Sequence, residues 1–197
     1  MRLFLVIFSL AFFVVSNLSY AADRKYVEFP HPAILAELDG KRAIVFFVKN
    51  EYSEAVNSLG GEGHVHAIDV YSVPQGGGPV SYAGSAPLGD IISVFFFTTK
   101  HGEKYLYVLS SEDGRDRGLE GRVFNAINYS MSIIDGELVV RDYPGDLQYF
   151  DLSGCFDGRD LKSGKMMHCP FHDVQTTKVY LKSLEQGGAS FQGLDRP

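Results

Sequence analysis

The sequence predicts a mainly β fold, an antiparallel β-sandwich with a short helix near each end. Segments rich in Val, Ile, Phe and Tyr follow one another through the middle of the chain, and Gly, Asp or Pro punctuates them. No helical pattern separates these segments, which favours antiparallel over parallel pairing. Helical patterns occur only near residue 35 and after residue 172.

Residues 1–21 are predicted to be a signal peptide. Met1-Arg2 is a short basic start, residues 3–15 are almost wholly apolar, and Ser19-Tyr20-Ala21 supplies small residues at the positions that a signal peptidase reads. The apolar run is shorter than the ~20 residues of a transmembrane helix. We therefore expect cleavage before Ala22, export to the periplasm and no membrane insertion.

Residues 22–185 are expected to form a single β-sandwich domain. Pro32 is typical of a helix start, residues 33–38 continue the predicted helix, and Asp39-Gly40 would end it. The predicted strands are then residues 42–49, 65–72, 91–99, 104–110, 122–134 and 137–141.

Two turns and one alternation define the centre of the predicted fold. Asp135-Gly136 lies between apolar runs and predicts a type I′ hairpin turn. Residues 101–103 are expected to link the predicted strands at residues 91–99 and 104–110. In residues 122–134, mostly apolar side chains alternate with mostly small or polar ones. This alternation predicts a sheet that is covered on one side.

The last predicted element is a helix after residue 172. Asp173 is a good N-cap residue, and Phe171, Val174, Leu181 and Leu184 lie near one stripe of the helix. Residues 186–197 have the composition of a flexible tail.

The charge of the chain disfavours some partners. Its formal net charge is −6 at pH 7, which disfavours binding to nucleic acid and to anionic membranes. An acidic surface could attract a cationic protein, but the solubility of an exported domain explains the same charge and is the favoured interpretation.

Cys155 and Cys169 are the only two cysteines. In an oxidising compartment they are expected to form a disulfide that closes a short loop. Their spacing is far from Cys-x-x-Cys, so the bond is predicted to be structural and not redox-active.

Three groups of residues are candidate metal ligands. Asp151, Asp157 and Asp160 surround a predicted Asp157-Gly158 turn that could hold a structural calcium ion. A weaker candidate is a second acidic loop, which contains Glu112, Asp113 and Asp116. Another is the His-x-His pair His64 and His66, followed by Asp69. For both groups a solvent-exposed or structural role is favoured.

The motifs of common hydrolases are missing. No Ser is followed by Lys three residues later, and Gly-x-Ser-x-Gly does not occur. We therefore expect a protein that is not an enzyme, with no catalytic residues and no cofactor apart from the calcium ion considered above. Tyr105, Tyr107 and Tyr129 could line a ligand pocket, although ordinary core positions are favoured for strand aromatics.

Several segments in the second half of the chain resemble the carbapenem intrinsic resistance family. The resemblance covers roughly residues 90 to 184 and rests on these segments: residues 94–98, Lys104-Tyr105-Leu106-Tyr107-Val108-Leu109, Gly121-Arg122-Val123-Phe124-Asn125-Ala126, Phe156-Asp157-Gly158, Gly164 and Val179-Tyr180-Leu181. Members of this family are small periplasmic β-sandwich proteins, related in fold to periplasmic inhibitors of invertebrate-type lysozyme.

The resemblance implies a non-enzymatic protein that protects its producer from a carbapenem β-lactam by binding the drug or shielding its targets. The alternative is a periplasmic inhibitor of a lysozyme or related wall hydrolase. Such inhibitors present a Ser-Gly-x-x-Tyr loop, and neither Ser153-Gly154 nor Ser163-Gly164 has a Tyr in that place. The expected partner is therefore a small β-lactam or a periplasmic protein, and a homodimer is left open.

Overall fold

The computed structural model describes residues 29–51, 66–86, 89–115, 118–142 and 152–187. These residues form ten strands and one helix, α1 (Val174–Glu185). The strands are β1 (Ile34–Leu38), β2 (Lys41–Glu51), β3 (His66–Pro74), β4 (Ser81–Ala86), β5 (Asp90–Thr98), β6 (Lys104–Asp113), β7 (Leu119–Ile134), β8 (Glu137–Asp142), β9 (Leu152–Asp160) and β10 (Met166–Met167). The predicted signal peptide and most of the predicted tail lie outside the described residues.

The strands form two antiparallel sheets. Sheet A has the order β1-β2-β3-β4, and sheet B has the order β10-β9-β7-β6-β5, with β8 also paired to β7. All pairings are antiparallel. The predicted mainly β, antiparallel fold is therefore confirmed.

The sheets and the helix stack as three layers. Between the two sheets lies a core to which sheet A contributes Val45, Phe47 and Val70, and sheet B contributes Leu106 and Tyr129. A second core lies on the opposite side of sheet B, where α1 and the segment before it cover the sheet. Sheet B is consequently buried on both faces.

The predicted N-terminal helix is wrong, because residues 34–38 form strand β1. The segment is too short to be stable as an isolated helix, whereas pairing with β2 satisfies its backbone and buries Ala36 completely. Asp39 and Gly40 both have positive φ angles, 49° and 74°, as a two-residue hairpin turn requires. The same dipeptide type at Asp135-Gly136 forms the predicted hairpin between β7 and β8.

The one-sided cover predicted for β7 is also wrong. Phe124, Ala126 and Asn128 point away from sheet A, and all three are buried. The first two belong to the core under α1, which the alternation within β7 could not reveal. Small or polar side chains such as Ala126 and Asn128 can also be buried beneath a covering layer, where Asn128 donates a hydrogen bond to the hydroxyl of Tyr107, so alternation by itself does not indicate a solvent-facing side.

The C-terminal helix forms as predicted. The side chain of Asp173 accepts a hydrogen bond from the backbone N–H of Thr176 at 2.7 Å, and the Thr176 side chain in return accepts from the N–H of Asp173. Phe171, Leu181 and Leu184 pack against sheet B. In the described part of the chain, no helix is both long and apolar enough to cross a membrane.

Candidate functional site

The structure pairs Cys155 with Cys169. The two sulfur atoms are 2.00 Å apart, and the Cα atoms are separated by 5.4 Å. Cys155 lies in β9 and Cys169 precedes α1, and both are buried in the core beneath the helix. The bond therefore fastens the helical layer to sheet B.

The predicted calcium ligands do not lie around a turn. Asp157 and Gly158 lie inside β9, where they pair with Arg122 and Gly121 of β7. Asp157 and Asp160 are three residues apart in a regularly paired strand, so their side chains point to opposite faces of sheet B. Asp151 lies outside the described residues.

Each of the two described aspartates already has a local partner. Asp160 accepts hydrogen bonds from the backbone N–H groups of Ser163 at 3.0 Å and Lys162 at 2.7 Å, and these bonds hold the pKa of its carboxyl below the ordinary value of 3.8. Asp157 lies 3.5 Å from the Nδ1 atom of His168. Within the described ranges, no three His, Cys, Asp or Glu side chains group as a metal site. Calcium binding stays a prediction.

The other candidate ligands are described only in part. His64 and Asp116 lie outside the described residues, and His66 is described only as the first backbone position of β3. Asp69 is buried on the outer side of sheet A, where it accepts a hydrogen bond from the hydroxyl of Tyr71 at 3.3 Å. Glu112 and Asp113 end strand β6.

The three strand tyrosines lie in the two cores, which is the role that the sequence favoured. Tyr105 and Tyr107 face α1, while Tyr129 faces sheet A and donates a hydrogen bond to the backbone oxygen of Ser85 at 2.8 Å. Because they lie on opposite sides of sheet B, they do not line one pocket together.

Sequence reasoning missed a cleft at the end of sheet B where β5, β6 and β7 meet. Its volume is about 470 Å³, which is within the range of small-molecule sites. Two arginines and four acidic side chains line it together with backbone and one serine: Gly89, Asp90, Ser111, Glu112, Asp113, Arg115, Glu120, Gly121 and Arg122.

Arg122 occupies the centre of this arrangement. Its guanidinium group donates a hydrogen bond to the hydroxyl of Ser111, which is almost completely buried. The strand register places Asp113 beside Arg122 on β6 and Asp157 beside it on β9. The bond to Ser111 fixes one part of the guanidinium group, and its remaining N–H donors are available to a ligand.

Two facing glycines bring strands β7 and β9 unusually close, next to Arg122 and Asp157. Gly121 and Gly158 are register partners with φ angles of 153° and 144°. A Cβ atom at Gly121 would lie 2.2 Å from the backbone oxygen of Asp157, which no side chain could tolerate. Glycine is therefore required here for the backbones that carry Arg122 and Asp157 to approach.

The cleft can bind ligands in two ways. Arg122 and Arg115 can hold a carboxylate, whereas the acidic rim of Asp90 and Glu120 favours cationic groups. The salt bridge between Arg115 and Asp113, with nitrogen and oxygen 3.4 Å apart, is exposed and easily exchanged for a ligand contact.

Comparison of the chain with protein-family models, with curated proteins and with solved structures found no match.

Proposed function

We propose that this protein is a non-enzymatic, exported protein that protects its cell from a carbapenem β-lactam by binding. Export to the periplasm through cleavage of residues 1–21 is part of the proposal. The disulfide supports it, because such bonds persist in oxidising compartments.

One observation carries the proposal. The segments that resemble the carbapenem intrinsic resistance family are spread from residue 94 to residue 181 of the chain. In the fold, almost all of them lie in sheet B and in α1, the two layers joined by the disulfide. Segments that lie together in two adjoining layers are what a common fold would retain.

The cleft beside Arg122 is the proposed binding site. A carbapenem carries a carboxylate next to its strained lactam ring, and the guanidinium groups of Arg122 and Arg115 are suitable receptors for a carboxylate. The Ser111 hydroxyl already accepts a hydrogen bond from Arg122, so it is held and is not activated as a nucleophile. The drug is thus bound with its ring intact.

The acidic rim of the cleft favours a second candidate, an inhibitor of a basic wall hydrolase such as a lysozyme. Four carboxylates against two guanidinium groups leave the cleft with excess negative charge. This charge would speed association with a basic protein and make the association rate fall with salt. The same charge weakens the attraction for a free carboxylate.

A resistance assay tests the first proposal. Expressed with residues 1–21 in a sensitive bacterium, the protein should raise the inhibitory concentration of a simple carbapenem, and deletion of residues 2–21 should remove this effect. The purified protein should leave the ultraviolet absorbance of the intact bicyclic ring unchanged. Opening of the ring would contradict the proposed binding mechanism.

Two matched variants locate the site. Arg122→Ala should abolish protection, whereas Arg141→Ala removes the same charge from an exposed position at the end of β8 and should not. Equal protection by both variants would exclude the cleft. Stoichiometric inhibition of a lysozyme without any carbapenem protection would establish the second candidate instead.

A further inference from the structure

The outer face of sheet A is apolar, although no described element covers it. The inner face of this sheet forms the core between the sheets, and side chains alternate along each strand. The outward positions would therefore be polar in a sheet that simply faces water. Seven of them instead carry apolar or aromatic side chains: Leu35, Ile44, Phe46, Val48, Tyr71, Val73 and Tyr82.

Three aromatic side chains lie in one row across this face. The register aligns Phe46 of β2, Tyr71 of β3 and Tyr82 of β4. The rings of Phe46 and Tyr71 stack with centroids 5.6 Å apart and an interplanar angle of 17°, and the ring of Tyr82 meets Tyr71 edge-on at the same distance. Tyr82 is 55% exposed, so part of its surface is accessible to a ligand.

A polar network adjoins this aromatic row. Tyr82 and Ser85 share a hydrogen bond of 2.8 Å between their hydroxyls, and Ser85 donates to a carboxylate oxygen of Asp69 at 3.4 Å. Asp69 is only 5% exposed. A fixed carboxylate with two hydroxyls beside aromatic rings combines hydrogen-bonding groups with an apolar surface in a small area.

We propose that this face binds a neutral, β-linked oligosaccharide. A sugar ring presents its C–H groups to an aromatic or aliphatic surface and its hydroxyls around the rim, where the exposed hydroxyls of Ser85 and Tyr82 can pair with them while buried Asp69 holds Ser85 in place. β-linked glycans are flat and extended, which suits a sheet face. The proposal does not depend on the cleft beside Arg122, which lies on the other sheet.

Size and charge distinguish this ligand from other occupants. The width of the patch is set by four strands about 4.8 Å apart, and its length by the distance from Ile44 to Val48. The product of width and length is roughly 200 to 400 Å². A stable protein interface buries about 800 Å² on each partner. Among the described residues of this face the cation is Arg42, which is paired with Glu37 at 2.7 Å, so the pair adds no net positive charge that would attract phosphate or an anionic lipid.

Titration with two glycans tests the proposal. Chitotetraose and cellotetraose, added separately to the full mature chain, should produce saturable changes in the backbone amide resonances of β2, β3 and β4. Calorimetry should then show that Tyr82→Ala weakens binding about tenfold and that Tyr82→Phe, which keeps the ring, weakens it less. Val179→Ala is the control, because Val179 is 63% exposed on α1, far from sheet A.

Three outcomes would overturn the inference. The first is that neither glycan binds at millimolar concentration. The second is that Tyr82→Ala binds as tightly as the wild type, which would place binding elsewhere. The third is a dimer in sedimentation that Tyr82→Ala dissociates, which would make this face a self-association surface. Tyr82 is exposed, so its variants are expected to fold and to give a clear result.

Discussion

The attachment of α1 to sheet B is tested by replacing Leu181 with alanine. Leu181 is completely buried in the core between the helix and the sheet. Removing a buried leucine side chain costs its transfer free energy and leaves a cavity, which together lower the free energy of unfolding by about 3 kcal/mol. For a domain of this size, the loss corresponds to a fall in Tm of roughly 6 to 12 °C.

Val179→Ala provides a control in the same helix. Val179 is two residues away and 63% exposed, and its replacement by a better helix former should change stability by less than about 0.5 kcal/mol. Urea unfolding of both variants can be followed by circular dichroism and by tyrosine fluorescence, since the chain contains no tryptophan. Equal stability losses in the two variants, or a loss below about 1 kcal/mol for Leu181→Ala, would refute the packing of the helix on sheet B.

Three further predictions concern the disulfide, the helix cap and calcium. Without reductant, neither Cys155 nor Cys169 should be alkylated, and labelling of both thiols in the wild type would contradict the bond. Replacing both by alanine should lower the free energy of unfolding by about 3 kcal/mol, as expected for a loop of their 14-residue separation. Hydrogen bonds from Thr176 lower the pKa of Asp173 below 3.8, so this carboxylate stabilises the fold above that pH and its contribution is lost as the pH falls through the lowered value. Asp173→Asn keeps a capping side chain that does not titrate, and acid unfolding curves should therefore be less steep below pH 4 than in the wild type; an unchanged slope would show that the cap does not contribute. If calcium binds near Asp157, millimolar calcium should raise the Tm of the wild type and not that of Asp157→Ala, whereas no rise in the wild type would remove the hypothesis.

Local signals predicted much of the fold. Asp135-Gly136 predicted its hairpin because both residues tolerate positive φ, and Asp173 predicted the start of α1 because its carboxylate can accept from the first turn. The same turn chemistry was present at Asp39-Gly40, where it indicates the β1–β2 hairpin. There it was interpreted as a helix end, because the alanine, leucine and glutamate before it favour helix.

Strands with weak local signals were missed. β4 has the sequence Ser-Tyr-Ala-Gly-Ser-Ala, and β9 contains two glycines and two aspartates. Neither segment has the β-branched residues that predict a strand. Both form because neighbouring strands supply their hydrogen bonds, and in β9 the disulfide adds a covalent link.

The candidate site could be predicted only in part. Glu112 and Asp113 were recognised as clustered carboxylates because they are adjacent in the sequence. Arg122 and Asp157 are far apart in the sequence and become neighbours only through the register of β7 and β9. Asp157 and Asp160, which were predicted to lie around one turn, instead lie in β9 with their side chains on opposite faces, because residues three apart in a strand point in opposite directions.

The sequence by itself determined the class of fold, the β5–β6 and β7–β8 hairpins, the C-terminal helix and the pairing of its only two cysteines. These depend on alternation, turn residues, capping and composition, which act over a few residues or need no spatial information. The tertiary structure alone decided that sheet B is covered twice, that the outer face of sheet A is an apolar surface, and that the strand register brings Arg122 opposite Asp113 and Asp157. Those features depend on contacts between distant segments, because a side chain's surroundings are set by the strands and layers packed against it.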